Sequence, residues 1–384
     1  MKKIIAVSFL FYSFLLWYGV SFLSFSIVDV RSIDHFPVLN YILNFSFFLF
    51  GKNDFALRVP EIIVGFCSVL LFYKLTEFYL KKEKDRFFAT IIFMLIPGMI
   101  ISSIIVNKSV YLIFLTLLFV YLYKTNKIYS YILLALCVFL DSGFISLFFA
   151  LIFYAIYKKD NVLLLLSLLF LAINANYFNY DIGGKPKGHF LDLFGTYFLI
   201  FSPFVFIYFL FSIYKGFFDK KRDIVFFIAF FTFIISILLS FRQRIKIDDY
   251  APFTLVYVIY MVKYFLSSYR VRLPQFRGTY KTVFIVLITT LTFFDIALFL
   301  NRYTPARKLS SSYYFIKPLA SELKNKNIDF INSKNKRLLR ALNFYGLKKG
   351  NKYMIIYEKR ENKVSIFHKK RKIMQINVSK LNTL

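Results

Sequence analysis

The stretch MKKIIAVSFLFYSFLLWYGVSFLSFSIV, Met1–Val28, decides the fold. Its basic start and apolar run resemble a secretory signal. The run is too long for one, however, and no small-residue cleavage site follows. It reads as a first membrane span over residues 4–28 that stays attached. Comparable runs recur along the chain, each near the roughly 17–25 residues needed to cross about 30 Å of hydrocarbon. Hydrophobic residues make up 59% of the 384, against about 45–50% in an ordinary soluble domain. One globular core could not hide that much apolar surface, so the sequence predicts a polytopic helical membrane protein.

Apolar runs and the charged clusters between them give eleven spans: 4–28, 60–80, 87–105, 109–123, 129–141, 143–157, 162–178, 196–215, 223–240, 252–267 and 281–301. The short pair 129–141 and 143–157 could also be one broken segment that dips in and returns. Alternate loops then differ in charge. MKK, KKEKDR, KTNK, KKD, KGFFDKKR and SSYRVRLPQFRGTYK fall on one side, which the positive-inside rule makes cytoplasmic. The formal charge of +30 thus orients the chain and argues against a nucleic-acid partner. The expected location is the inner (plasma) membrane, with the N-terminus cytoplasmic and the C-terminus periplasmic. Segment 36–50 is too short to cross after Pro37 and reads as a helix lying in the outer interface.

From residue 302 the composition shifts to 21 Lys and Arg against 4 Asp and Glu, which separates 1–301, a transmembrane domain, from 302–384, a small basic extracytoplasmic α/β domain. SSYYFIKPLASELKNKN reads as a helix, and IDFIN, YMIIYEK, VSIFHKK and KIMQINV read as strands. The fold class is therefore an all-α transmembrane bundle with a small α/β appendage. Cys67 and Cys137 lie within apolar runs without a CxxC partner and read as small buried hydrophobes.

Chemistry concentrates on the outer side. SIVDVRSIDHFPVLNY, Ser26–Tyr41, places Asp29, Asp34 and His35 where the chain should be leaving the membrane. One reading is loop polarity with a helix cap. The other is catalytic: a carboxylate at the bilayer surface can act as general base toward an acceptor, or hold a divalent metal ion on a phosphate. Arg58, in GKNDFALRVPEIIVG, either anchors a helix end or clamps a lipid phosphate with its guanidinium fork. FRQRIKIDDYAP brings Arg242, Arg244, Lys246 and Tyr250 to the outer side, against the orientation bias of a short loop. Those cations suit a departing phosphate, or else anionic lipid. GGKPKGH, 183–189, lacks the Gly-Lys-Ser/Thr of a phosphate loop and reads as a loop over a site. Asp295 sits inside the last span, where an ionisable group usually faces a cavity or partner. Asp141, at a short turn, reads as a helix cap. No serine-hydrolase, zinc or haem pattern is present.

Several of these pieces resemble one family in order and spacing: the C-type (GT-C) polytopic membrane glycosyltransferases, in the branch of the protein O-mannosyltransferases and the lipid A aminoarabinose transferase. DHFPVLNY is similar to that branch's proline segment, LFGKNDFALRVP to its G-x6-R-x-P element, LSFRQRIKIDDYAPFTLVY to its late Lys/Arg-x3-Tyr-x2-Pro turn, and IKPLASELKNKNIDFI with LNFYG to its C-terminal appendage. The chain departs from the branch in three places. It lacks the Asp-Glu pair of the first loop, it has one proline in HFPV, and VNKSV replaces an acidic residue near the fourth span.

The resemblance implies an outward-facing site using a polyprenyl-phosphate-linked sugar donor, with a lipid, glycan or protein acceptor and with membrane lipids around it. It places the acidic catalytic residue on Asp29 or Asp34, and the donor contacts on Arg58, Lys246 and Tyr250. A transporter or lipid flippase, or a non-catalytic envelope assembly protein, are the rival classes. A transporter would carry internal repeats and midplane charge, whereas here the polar groups gather outside.

Overall fold

A computed structural model describes residues 1–179, 188–219, 221–300, 312–356, 363–368 and 371–380. Its helices are α1 (Lys2–Phe22), α2 (Ile27–His35), α3 (Pro37–Phe50), α4 (Asp54–Thr76), α5 (Glu83–Leu95), α6 (Pro97–Ile104), α7 (Ser109–Thr125), α8 (Lys127–Cys137), α9 (Phe144–Lys158), α10 (Asn161–Tyr177), α11 (Phe190–Phe201), α12 (Pro203–Phe217), α13 (Ile224–Ser240), α14 (Ala251–Leu255), α15 (Val258–Val271) and α16 (Arg277–Leu300). After them come α17 (Ser312–Asn325), β1 (Phe330–Ser333), α18 (Lys336–Phe344), β2 (Lys348–Ile356), β3 (Lys363–His368) and β4 (Arg371–Lys380).

Prolines punctuate the apolar runs. The segment expected as one span over 87–105 is α5 and α6, bent by 59° at Pro97. That over 196–215 is α11 and α12, bent by 104° at Ser202–Pro203. A proline removes a helix hydrogen bond and disfavours helical geometry in the residue before it. Ser202 has the extended ψ of 151° expected before proline, together with a positive φ of 69°.

The eleven expected spans meet these lengths only in part. Four helices are long and apolar enough to cross alone, and six crossings result if each bent pair counts once. The other five expected spans fall on α7, α8, α9, α10 and α13, each 17 residues or fewer. At 1.5 Å per residue α8 and α9 fall short of the hydrocarbon thickness, while α7, α10 and α13, at 17 residues each, stand at the lower limit of a crossing helix. The expected interfacial segment is α3, an apolar helix whose Tyr41, Phe45 and Phe48 are exposed while Leu39 and Leu43 are buried.

The chain forms two compact units. One comprises Met1–Tyr12, Ile63–Ser103 and Lys108–Leu298 and is wholly helical among its described residues. Its core is aromatic: Tyr197, Phe206, Phe209 and Phe233 pack ring against ring, and Phe72 stacks on Phe93. The other comprises Ser13–Ile62, Ile104–Asn107 and Phe299–Leu384. Its sheet has the order β1-β2-β4-β3, with β1 and β2 parallel and the remaining pairs antiparallel. Here α17 and α18 both pack against α2. The strands expected from the sequence are all present, and α18 is an addition to them. Phe299–Leu384, which begins close to the composition break at residue 302, shares its unit with the α1–α2 turn and the start of α4.

Candidate active site

The turn leaving α1 becomes α2 almost at once, because Ser26 caps it. The Ser26 hydroxyl accepts from the Asp29 N–H at 3.0 Å, and Asp29 Oδ2 accepts from the Ser26 N–H at 2.8 Å. This reciprocal box satisfies two backbone donors at the helix start. The loop expected here is therefore a helix, and Asp29 is buried in it rather than exposed. Its other oxygen, Oδ1, is buried with no hydrogen-bond partner among the described residues. Burial pushes the Asp29 carboxyl up to about 6. The Arg58 guanidinium, the two Ser26 hydrogen bonds and the nearby Val106 amide pull it back.

Arg58 lies in the second turn of α4 and is fully buried. It is not a helix-end anchor at the interface. Its Nη1 donates to the carbonyl of Ile104, at the end of α6, and its Nη2 donates to the carbonyl of Ser24 at 3.2 Å. Both partners are neutral, so the guanidinium is held in place without a direct ion pair. Nε has no partner among the described residues. Gly19 makes this possible: a Cβ there would stand 2.7 Å from Arg58 Cδ.

Glu61 was not singled out in the sequence. One helical turn beyond Arg58, it is fully buried, and neither carboxylate oxygen has a partner among the described residues. A legible signal existed, since an ionisable residue inside an apolar span usually faces a cavity or partner. Asp29, Arg58 and Glu61 thus form a buried polar group with unused donors and acceptors, an uncommon arrangement where satisfaction is the rule.

The C-terminal segment braces this group. Lys317 Nζ donates to Asp54 Oδ2 at 2.6 Å and to the Val20 carbonyl at 3.1 Å. The Tyr345 hydroxyl donates to Asp54 Oδ1 at 2.8 Å while accepting from the Phe25 N–H at 2.7 Å. Asp54 begins α4, and residues 20–25 carry the turn, so both elements are fixed by the appendage.

Asp34 and His35 lie on the exposed side of α2. Asp34 accepts from Arg337 at 3.2 Å and Arg340 at 2.7 Å, both on α18. It ties α2 to the appendage and stands apart from the Asp29 group.

Arg242, Arg244, Lys246 and Tyr250 belong to the other compact unit. The three cations are exposed in the segment after α13, and Tyr250 is buried. The turn that carries them is fixed by Lys108, which pairs with Asp249 and with Asp141 at 2.7 Å. Asp141 also accepts from the Gly143 N–H at 2.7 Å; this fixes the turn, whereas α9 itself starts without a side-chain cap, so the cap expected at Asp141 is instead an ion-paired turn. The lysine of VNKSV is thus the cation between two carboxylates. Lys185 and Lys187 lie outside the described residues, and His189 contacts Asp192 at 3.4 Å.

Among the described residues no group of three or more His, Cys, Asp or Glu is placed to hold a metal ion. Asp29 and Glu61 offer two carboxylates, fewer than the oxygen set such a hard cation takes.

With this geometry in place, the comparisons define the class. Residues 34–178 match the Dolichyl-phosphate-mannose-protein mannosyltransferase family. Together with the structural matches, this bears out the resemblance read from the loop motifs: the chain has the fold of the C-type polytopic membrane glycosyltransferases. The structural matches are two crystal structures of ArnT from Cupriavidus metallidurans. The form bound to undecaprenyl phosphate matches with TM-score 0.53 and 9% identity, over 90% of this chain and 84% of that one. The apo form matches with TM-score 0.53 and 8% identity, over 98% of both chains. No curated protein matches the chain in sequence.

Proposed function

We propose that the protein is a membrane glycosyltransferase that moves a sugar from a polyprenyl-phosphate donor to a lipid, glycan or protein acceptor on the extracytoplasmic face. The observation that carries this reading is the buried Asp29 beside Arg58, each with an unused polar atom. In this reading Asp29 Oδ1 takes the proton of an acceptor hydroxyl or amine as that atom bonds to the anomeric carbon. The bond from the anomeric carbon to the phosphate oxygen breaks, and the lipid phosphate leaves with the electron pair. Arg58, held by two carbonyls, faces the negative charge that develops and needs no rearrangement to do so. The nucleophile's proton and the leaving group's charge are handled by different side chains.

Asp29 is favoured over Asp34 as the base because an acid near pKa 6 is ionised at neutral pH yet still basic enough to accept a proton. The membrane orientation, with an inner-membrane location, a cytoplasmic N-terminus and a periplasmic C-terminus, rests on the basic short loops. A reporter fused after residue 330 that reads as cytoplasmic overturns it. The decisive experiment is turnover of an undecaprenyl-phosphate-linked sugar by purified protein and by its Asp29→Asn variant. Activity in the wild type that is lost in the variant is expected, and equal activity of the two overturns the reading.

A further inference from the structure

The α15–α16 hairpin leaves an apolar cleft in the wholly helical unit. A cavity of about 350 Å³ runs between α5, α12, α15 and α16, walled by Phe88, Met261, Phe265, Phe284, Ile288 and Leu291 among other apolar side chains. Only 11% of the apolar stretch of the last span is buried within the protein. Lipid tails are as apolar as these walls, so nothing drives the helices to close the gap.

The charged residue lining the cleft lies at one end. Tyr269, Tyr280 and Lys281 line it where the hairpin turns. Arg272 lies over the Tyr280 ring at 5.6 Å and Arg277 over the Tyr269 ring at 5.8 Å. Arg270, by contrast, is committed to Asp85 through contacts of 2.5 and 2.6 Å. Among the described residues no carboxylate pairs with Arg272, Arg277 or Lys281. Three cations and two tyrosines therefore cluster at the mouth of an oily cleft.

Its length narrows the occupant. Val258 and Tyr269 mark its two ends on α15. At 1.5 Å per residue they stand about 16 Å apart, close to half of a hydrocarbon core of roughly 30 Å. That suits one acyl chain of one leaflet and is short for a long polyprenyl chain. We propose that this cleft holds an acyl chain of an anionic phospholipid, with its phosphate among Arg272, Arg277 and Lys281. Basic pockets between spanning helices bind anionic headgroups in this way. The hairpin turn lies in one of the basic short loops, so the lipid would come from the leaflet those loops face. The site is independent of the transferase reading.

The test uses full-length protein in a neutral detergent, with native mass spectrometry reading retained lipid. Dioleoyl phosphatidylglycerol and dioleoyl phosphatidylcholine share acyl chains and differ in headgroup charge. The wild type should retain the anionic lipid roughly tenfold better. The triple variant Arg272→Gln, Arg277→Gln, Lys281→Gln should bring the two lipids to parity, and its substitutions lie at the polar mouth rather than in the core. Met261→Trp should narrow the cleft and weaken both lipids. No preference in the wild type, or an unchanged preference in the triple variant, overturns the proposal. So does displacement of phosphatidylglycerol by an equimolar amount of undecaprenyl phosphate, which would assign the cleft to a polyprenyl chain.

Discussion

Arg58 lowers the charge penalty of Asp29 without forming an ion pair with it. The guanidinium acts on the buried carboxyl through space, while its Nη1 and Nη2 are given to the carbonyls of Ile104 and Ser24. A closed salt bridge would have cancelled both charges. This arrangement keeps the carboxylate free to accept a proton and the cation free to face an anion.

Replacing Asp29 with Asn should therefore separate chemistry from folding. An amide oxygen can still accept from the Ser26 N–H, so the helix cap survives. Loss of a general base should reduce turnover by about 10²–10⁴. Asp34→Asn removes exposed ion pairs that contribute about 0–1 kcal/mol and should leave turnover near wild type. Turnover and thermal unfolding of both variants decide this, and the reverse ranking would assign the base to Asp34.

The pH dependence follows from the same residue. A general base must be ionised, so the transfer rate should rise about tenfold per pH unit on the acid side and level off near pH 6, the folded-state value. Stability carries the opposite sign. The folded-state value is raised, so Asp29 favours folding fully below its ordinary range near 4. That contribution is lost as pH rises through about 6. Asp29→Asn should abolish the acid limb of the rate profile, and a limb left in place would point to another group.

Arg58→Ala should weaken donor binding about tenfold or more, since a charge-assisted hydrogen bond contributes roughly 1.5–3 kcal/mol. It should also lower the unfolding temperature, because the Ile104 and Ser24 carbonyls lose their donors. Arg58→Lys should recover only part of the affinity, since one ammonium cannot reproduce a planar fork. Equal donor affinity in the wild type and both variants would remove Arg58 from the site.

Glu61→Gln should leave the protein at least as stable as the wild type. The native side chain is buried without a hydrogen bond among the described residues, and the amide keeps its size while carrying no charge. Turnover should nevertheless fall about tenfold or more if Glu61 orients a sugar or acceptor hydroxyl, by loss of one charge-assisted hydrogen bond. Unchanged turnover with raised stability would leave Glu61 outside the site.

Tyr345→Phe tests the brace. It leaves the Phe25 N–H without its acceptor and Asp54 Oδ1 without its donor, at a cost of about 1–3 kcal/mol for an unsatisfied buried group. Both the α1–α2 turn and the start of α4 should loosen. Unfolding temperature and donor affinity should then drop together, although residue 345 lies far from Asp29 in the chain. An affinity loss with no change in unfolding temperature would instead place Tyr345 in contact with the donor.

Much of this was legible in the sequence because it is encoded locally. Apolar runs, basic short loops and prolines report helices and their breaks over windows of about 20 residues, and all eleven expected segments contain helix. The period-two strands after residue 328 were equally readable. Length was harder to judge, because an apolar residue in a 17-residue helix reads the same whether that helix crosses the membrane or stops within the bundle. The late cluster was visible as a charge anomaly, but its fixing by Lys108 joins residues more than 130 positions apart.

By itself the sequence determined a helical membrane protein with polar chemistry gathered at one set of turns, and its short motifs were enough to reveal the family resemblance. Only the tertiary structure separated Asp29 from Asp34, showed Arg58 to be a buried cation rather than an anchor at the interface, and brought Glu61 into the group. The physical reason is that a side chain's hydrophobicity and helical phase are local properties, whereas its burial and its hydrogen-bond partners are not. Whether a carboxylate is solvated, capped or left with a free oxygen depends on Ile104, Val106 and Tyr345, residues that only the folded chain places beside the first turn.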